Sequence, residues 1–261
     1  MPYFEDIEYS HAETIAAIRD YYQFLTTMYL DETYIVEPPP DGWPDISTRS
    51  YTLDKSKKVI NLLQHLPYIK FANNDTLDAE AGPDCIFADW QSIFKRAADR
   101  KTVTSATEGP SISDKVPRNV IGLTWGNNHT PKFLLDVKLG TIQWYACPGE
   151  ACDEPINEPI QDDPYDYFSG EEEAEWRAEG ETWTILDFFE ELKEHFRRLN
   201  LVPLSRKKVV HVWKTAPENY QEMLVGVKHI YRQHAWPDLK QYDKEECLKA
   251  VEKFVEENYP Q

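Results

Sequence analysis

The stretch KFLLDVKLGTIQWYA, residues 132–146, constrains the fold more than any other part of the chain. Two runs rich in large apolar side chains flank Leu139-Gly140, the pattern of two short strands around a tight turn. In the second run Ile142 and Trp144 share one face, and Thr141, Gln143 and Tyr145 share the other. Asp136 stands beside the turn, where a carboxylate accepts turn amides or, alternatively, serves a catalytic role. NVIGLTW, residues 119–125, is equally β-rich.

Helical patterns surround this region. Ser10 and Glu13 fit a capping box, and Ile15, Ile18, Tyr22, Leu25 and Tyr29 then recur at spacings of three and four. VEPPPDGWPDI, 36–46, is a stiff connection expected to pack through Trp43. Further helices are predicted over 55–66, ended by Pro67, and over 84–98. Residues 99–117 are polar and read as an exposed loop. The strongest helix signal is WTILDFFEELKEHFRRL, 183–199. Thr184 caps it, Trp183 and Phe188 suit a hydrophobic staple, and Leu186, Phe189, Leu192, Phe196 and Leu199 give the buried stripe. A basic strand, RKKVVHVW, and helices over 218–234 and from Asp243 close the chain.

Charge is unevenly spread. The net charge is −18, and residues 150–181 hold thirteen Asp/Glu against the single Arg177, a net −12 in 32 residues. Tyr165, Tyr167, Phe168 and Trp176 interleave these acids, which a purely solubilising run does not require. Residues 205–240 reverse the sign, with seven Lys/Arg against three Asp/Glu. The acidic balance argues against nucleic acid and anionic membranes and favours a basic partner. Arg206, Lys207 and Lys208 offer an intramolecular clamp for the acidic insert as another use of that charge. No apolar run approaches the roughly 20 residues of a spanning helix, and the acidic N-terminus is unlike a signal peptide, so a cytoplasmic location is expected.

No strong catalytic motif is present: G-x-S-x-G, G-x-G-x-x-G, G-x-x-x-x-G-K-[ST] and H-E-x-x-H are all missing. Cys147 and Cys152 form one close pair where a structural zinc site wants four ligands, so neither metal nor cofactor is expected. TWGNNHTP, 124–131, is a polar loop that reads first as a tight strand connection, though Asn127, Asn128 and His129 there could line a small-ligand pocket.

The succession IGLTWG, KFLLDVKLGTIQWY, an acidic loop and WTILDFFEELKEHFRRL resembles the SUKH superfamily, which includes fungal cell-wall-synthesis regulators and bacterial toxin-immunity proteins. The matching pieces are Phe133–Asp136, Gly140–Trp144 and Ile185–Leu192, with a partial echo in LLQHLPYI. MYL, EPPPDGWPDI and VINLLQHLPYI also resemble uncharacterised cytosolic proteins of filamentous fungi. The SUKH resemblance implies an α+β fold, a central mixed or antiparallel sheet flanked by helices, and a protein-binding role without chemistry. The expected organisation is one domain over 1–261. Residues 1–54 supply an N-terminal helix and Pro-rich connection, 55–200 a SUKH-like core with the acidic insert 150–181, and 201–261 a strand and two additional C-terminal helices.

Two functional expectations follow. The first is a non-enzymatic regulatory protein that captures a basic protein through Tyr165, Tyr167, Phe168, Glu171, Glu172, Glu173 and Trp176. The alternative is a hydrolase or other small-molecule enzyme. Its pocket would lie near the 126–129 and 147–152 loops, with Asn127, Asn128, His129, Asp136 and Trp144 as candidate lining.

Overall fold

Helix α1 (His11–Met28) begins where the Ser10 hydroxyl accepts the Glu13 amide, as the capping pattern requires. The computed structural model describes residues 2–49, 52–72, 78–96, 99–152, 155–214 and 218–259. After α1 the proline-rich connection carries β1 (Ile35–Val36) and α2 (Pro44–Arg49). Trp43 is buried there, and its indole N–H donates to the Leu66 carbonyl at 2.8 Å. Next come α3 (Lys57–His65), which ends ahead of Pro67, and β2 (Tyr68–Ile69), which pairs antiparallel with β1.

The helix expected over 84–98 is divided. β3 (Glu80–Gly82) and β4 (Cys85–Phe87) form a hairpin, and α4 (Trp90–Arg96) starts only after Asp89. Asp89 accepts the Ser92 amide at 3.0 Å, and the left-handed backbone at Asp84 (φ 48°) makes the preceding turn. The polar stretch 99–117 is likewise not a loop alone. α5 (Arg100–Glu108) is capped by Asp99 and buries Val103, Thr104, Thr107 and Glu108. Its inner face is small and polar because it lies against Gly122, where a Cβ would fall 2.0 Å from the Thr107 carbonyl oxygen. Hydrophobic periodicity cannot detect a helix buried through threonine and glutamate.

The central sheet is antiparallel, in the order β5 (Val120–Gly122), β7 (Lys132–Asp136), β8 (Thr141–Tyr145), β9 (Gly180–Thr184). β6 (Thr124–Trp125) pairs with β4 instead. Gly140, at φ 74°, closes the β7–β8 turn. Between β8 and β9 the chain forms α6 (Gly149–Cys152), α7 (Pro164–Tyr167) and α8 (Glu171–Arg177). Phe133, Leu135, Ile142, Trp144 and Trp183 join the main core, and Leu134 and Val120 meet Trp176 of α8 in a second cluster. Both faces of the sheet are therefore covered, in the α+β arrangement expected.

α9 (Ile185–Arg198) is capped by Thr184, whose hydroxyl accepts the Asp187 amide, and Trp183 sits 6.0 Å from Phe188. It packs on α1 through Tyr21–Phe189 and Tyr29–Phe196 ring contacts. One stripe residue departs from expectation. Leu186 is 56% exposed, because it shares the outer face with the ion-paired Glu190, Lys193 and Arg197. The basic run is also mostly a turn: β10 (Leu201–Pro203) and β11 (Val209–His211) pair across it. α10 (Glu218–Gln233) and α11 (Lys244–Asn258) complete the chain. Lys244 and Tyr242 donate to carbonyls at the end of α1, and Trp236 donates to Phe196 of α9. One connected core thus runs from Ala17 to Val251. Among the described residues no helix is long and apolar enough to cross a membrane.

Candidate functional site

Residues 155–181 of the acidic insert form a ridge docked on the sheet, and Asp153 and Glu154 lie outside the described residues. Asp163 caps α7 by accepting the Tyr165 amide, and Pro164 suits its first turn. Tyr165 is 59% exposed and Tyr167 42%, while Phe168 is half-buried against Phe4. Tyr3, beside Phe4 in sequence, is exposed as well, so three of the molecule's prominent surface rings come from this corner. Glu171 and Glu172 are exposed on α8. Among the described residues Asp166, Glu171 and Glu172 form no ion pair, and the nearby Lys115 pairs with Glu175.

Two predicted contact residues do not face a partner. Trp176 is buried against Leu134 and Val120, because the apolar side of α8 has to cover the second face of the sheet. Glu173 is drawn to Arg177 at 2.9 Å. Arg177 itself is buried, 2.6 Å from Asp136, with its guanidinium 4.4 Å from the centre of the Phe168 ring and 4.5 Å from that of Trp176. Asp136 also accepts the Lys138 and Leu139 amides, so the turn-bonding reading of this carboxylate holds. The insert's other end is fixed by Glu191 of α9, which accepts the Ile156 and Asn157 amides and contacts buried His195 at 3.2 Å. Arg206 and Lys208 of the basic run do not clamp the insert. Arg206 pairs with Glu245, and Lys208 pairs with Glu80 and Asp84.

Beside the ridge lies a cleft of about 400 Å³ between Phe4 and the segments 160–165 and 177–182. Asp162, Asp163 and Glu181 line it. Burial raises the Glu181 carboxyl above its ordinary pKa, and Glu181 has no ion-pair partner among the described residues.

A second concavity, of about 370 Å³, opens at the other end of the β7–β8 hairpin. The register Lys132↔Tyr145 places the loops before β7 and after β8 side by side, so the two loops expected to form a pocket do meet. Asn128 and His129 are exposed at its rim. Asn127, whose side chain accepts the His129 amide, is not part of it, and neither are Asp136 and Trp144. Asp136 sits four residues along β7, roughly 13 Å away, and Trp144 points into the main core. Among the described residues no set of three or more His, Cys, Asp or Glu is placed to hold a metal, and the side chain of Cys152 lies outside them.

Lys132 is the pocket's most unusual residue. It is 3% exposed and donates to the Ala106 and Gly126 carbonyls at 2.7 and 3.3 Å. Burial lowers its pKa from 10.5 to about 8. Across the pocket Asp84 contacts His211 at 3.4 Å and Lys214 at 2.8 Å. Burial opposes the Asp84 charge, but His211, Lys214 and Lys208 together hold its carboxyl well below the usual range. Sequence reasoning overlooked Lys132 and Asp84, and gave His211 no role in a site. The one available signal was a lysine opening a strand that is otherwise apolar up to Asp136.

A further buried pair, Lys55–Glu108 at 2.7 Å, lies where α5 ends. Burial pushes Glu108 up to about 7 despite the opposing effect of Lys55. No family model, curated protein or solved structure matches this chain.

Proposed function

We propose that this is a cytoplasmic, non-enzymatic binding protein whose acidic, tyrosine-bearing ridge captures a basic segment of another protein. The observation that carries this reading is the pairing of exposed Tyr165 and Tyr167 with an adjoining acidic cleft on a rigid mount. Exposed tyrosines offer large contact area at small entropic cost, and unpaired carboxylates steer a cationic partner. The half-buried Glu181 suits a lysine or arginine side chain inserted into the cleft, whose charge would offset the carboxylate's burial. The SUKH resemblance of Phe133–Asp136, Gly140–Trp144 and Ile185–Leu192 points to the same kind of role.

The test is a comparison of the wild type with Tyr165→Ala/Tyr167→Ala and with Glu171→Lys/Glu172→Lys. Proteins captured from lysate and a panel of fluorescent Arg/Lys-rich peptides are both measured. Both variants should lose the captured protein and the peptide binding while keeping wild-type melting curves. Equal capture and equal peptide affinity across all three proteins would remove the ridge from consideration. A partner lost only in the charge-reversed variant would leave attraction without tyrosine contact.

A further inference from the structure

We infer that the cavity at the open end of the β7–β8 hairpin is a binding site for a small carboxylate with an apolar body, held against Lys132. An ammonium has three donors. The Lys132 group spends two on main-chain carbonyls, and it has no carboxylate partner among the described residues. The fold thus maintains a buried cation that lacks a counter-charge, an arrangement a bound anion relieves. The lowered pKa of Lys132 reports the same lack of compensation.

The surroundings favour an anion as well. Asp84, the one carboxylate on the wall among the described residues, is already paired with Lys214 and Lys208. With Asp84 paired, Lys132 leaves this recess locally cationic in a strongly acidic molecule. The remaining wall sets the body of the ligand. Pro83, Pro110, Pro131 and Pro148 come from four different segments and present apolar rings on backbone with fixed φ. Such a cavity is preformed, so little ordering opposes binding. Its volume falls in the range of small-molecule sites. A single uncompensated ammonium with Asp84 on the same wall matches a monoanionic carboxylate better than a phosphate dianion.

The probes are benzoate, its neutral isostere benzamide, and inorganic phosphate, titrated into the full chain by ligand-observed NMR and calorimetry. Benzoate should bind saturably, and benzamide at least about tenfold more weakly, the worth of a charge-assisted hydrogen bond. Lys132→Met keeps the stem and removes the charge, and should weaken benzoate by the same factor. Asn128→Trp, at the exposed rim, should block the cavity without touching Lys132, and it carries the test should Lys132→Met fail to fold. No saturable benzoate binding, equal affinity for benzamide, or benzoate binding unchanged by Asn128→Trp would each overturn the site. Phosphate binding more tightly than benzoate would overturn the carboxylate assignment.

Discussion

Arg177 and Lys132 are two buried cations at opposite ends of one β-hairpin, and their surroundings differ completely. Arg177 meets the carboxylates of Asp136 and Glu173 and lies close to two aromatic rings. Lys132 meets two backbone carbonyls and a cavity. The first has its charge answered by two carboxylates, so it fastens the acidic ridge to the sheet. The second has its geometry fixed by main-chain carbonyls and no carboxylate partner among the described residues, and this is why the proposed carboxylate site is built on it. Buried positive charge is thus not by itself a sign of function; the identity of its partners decides.

The largest effect that bears on this contrast belongs to Arg177. Arg177→Ala strands Asp136 as an unpaired buried carboxylate and should cost about 3–5 kcal/mol in chemical denaturation, with the Trp176 environment altered in fluorescence. A cost below about 1 kcal/mol would erase the distinction between the two cations. Lys55 belongs on the Arg177 side. Lys55→Met should cost about 3 kcal/mol by leaving Glu108 unpaired, and Lys55→Met/Glu108→Leu should return to near wild-type stability, since replacing both members of a buried pair is often neutral. A double variant no more stable than the single one would show that packing rather than charge dominates there.

On the ridge, Tyr165→Ala/Tyr167→Ala should weaken partner binding by about 2 kcal/mol or more while shifting stability by no more than about 0.5 kcal/mol. A stability loss comparable to that of Arg177→Ala would mean that the tyrosines hold the ridge together instead of displaying it. The smallest effect belongs to Lys132→Met. It removes two hydrogen bonds and an uncompensated charge, terms that oppose one another, for a net change of about 1 kcal/mol or less at neutral pH. The pH dependence sharpens the point. The folded-state pKa of about 8 lies below the ordinary 10.5, so the unfolded chain binds the extra proton between those values. Wild-type stability should therefore rise relative to Lys132→Met as pH increases from about 8 to about 10.5. A flat difference across that window would show that Lys132 is better compensated than its contacts indicate.

Local signals carried much of the fold. The hairpin, its Leu139-Gly140 turn, the Thr184 and Ser10 caps and the Pro67 stop are all read from neighbouring residues and reappear in space. The failures share a cause. α5 is buried through threonines, β4 has a pattern that suits either period, and Leu186 fits the helical stripe yet faces outward. In each case the outcome depends on what another element presents, which short-range pattern does not encode.

The sites divide in the same way. Sequence alone located the acidic segment, its interleaved rings and the two loops that meet at the pocket, because charge density and strand pairing are local properties. Only the tertiary structure decided that Trp176 turns inward while Tyr165 and Tyr167 remain outside, and that Arg177 finds carboxylates where Lys132 finds none among the described residues. The free energy of a buried charge is set by groups distant in sequence that folding brings within a few ångströms.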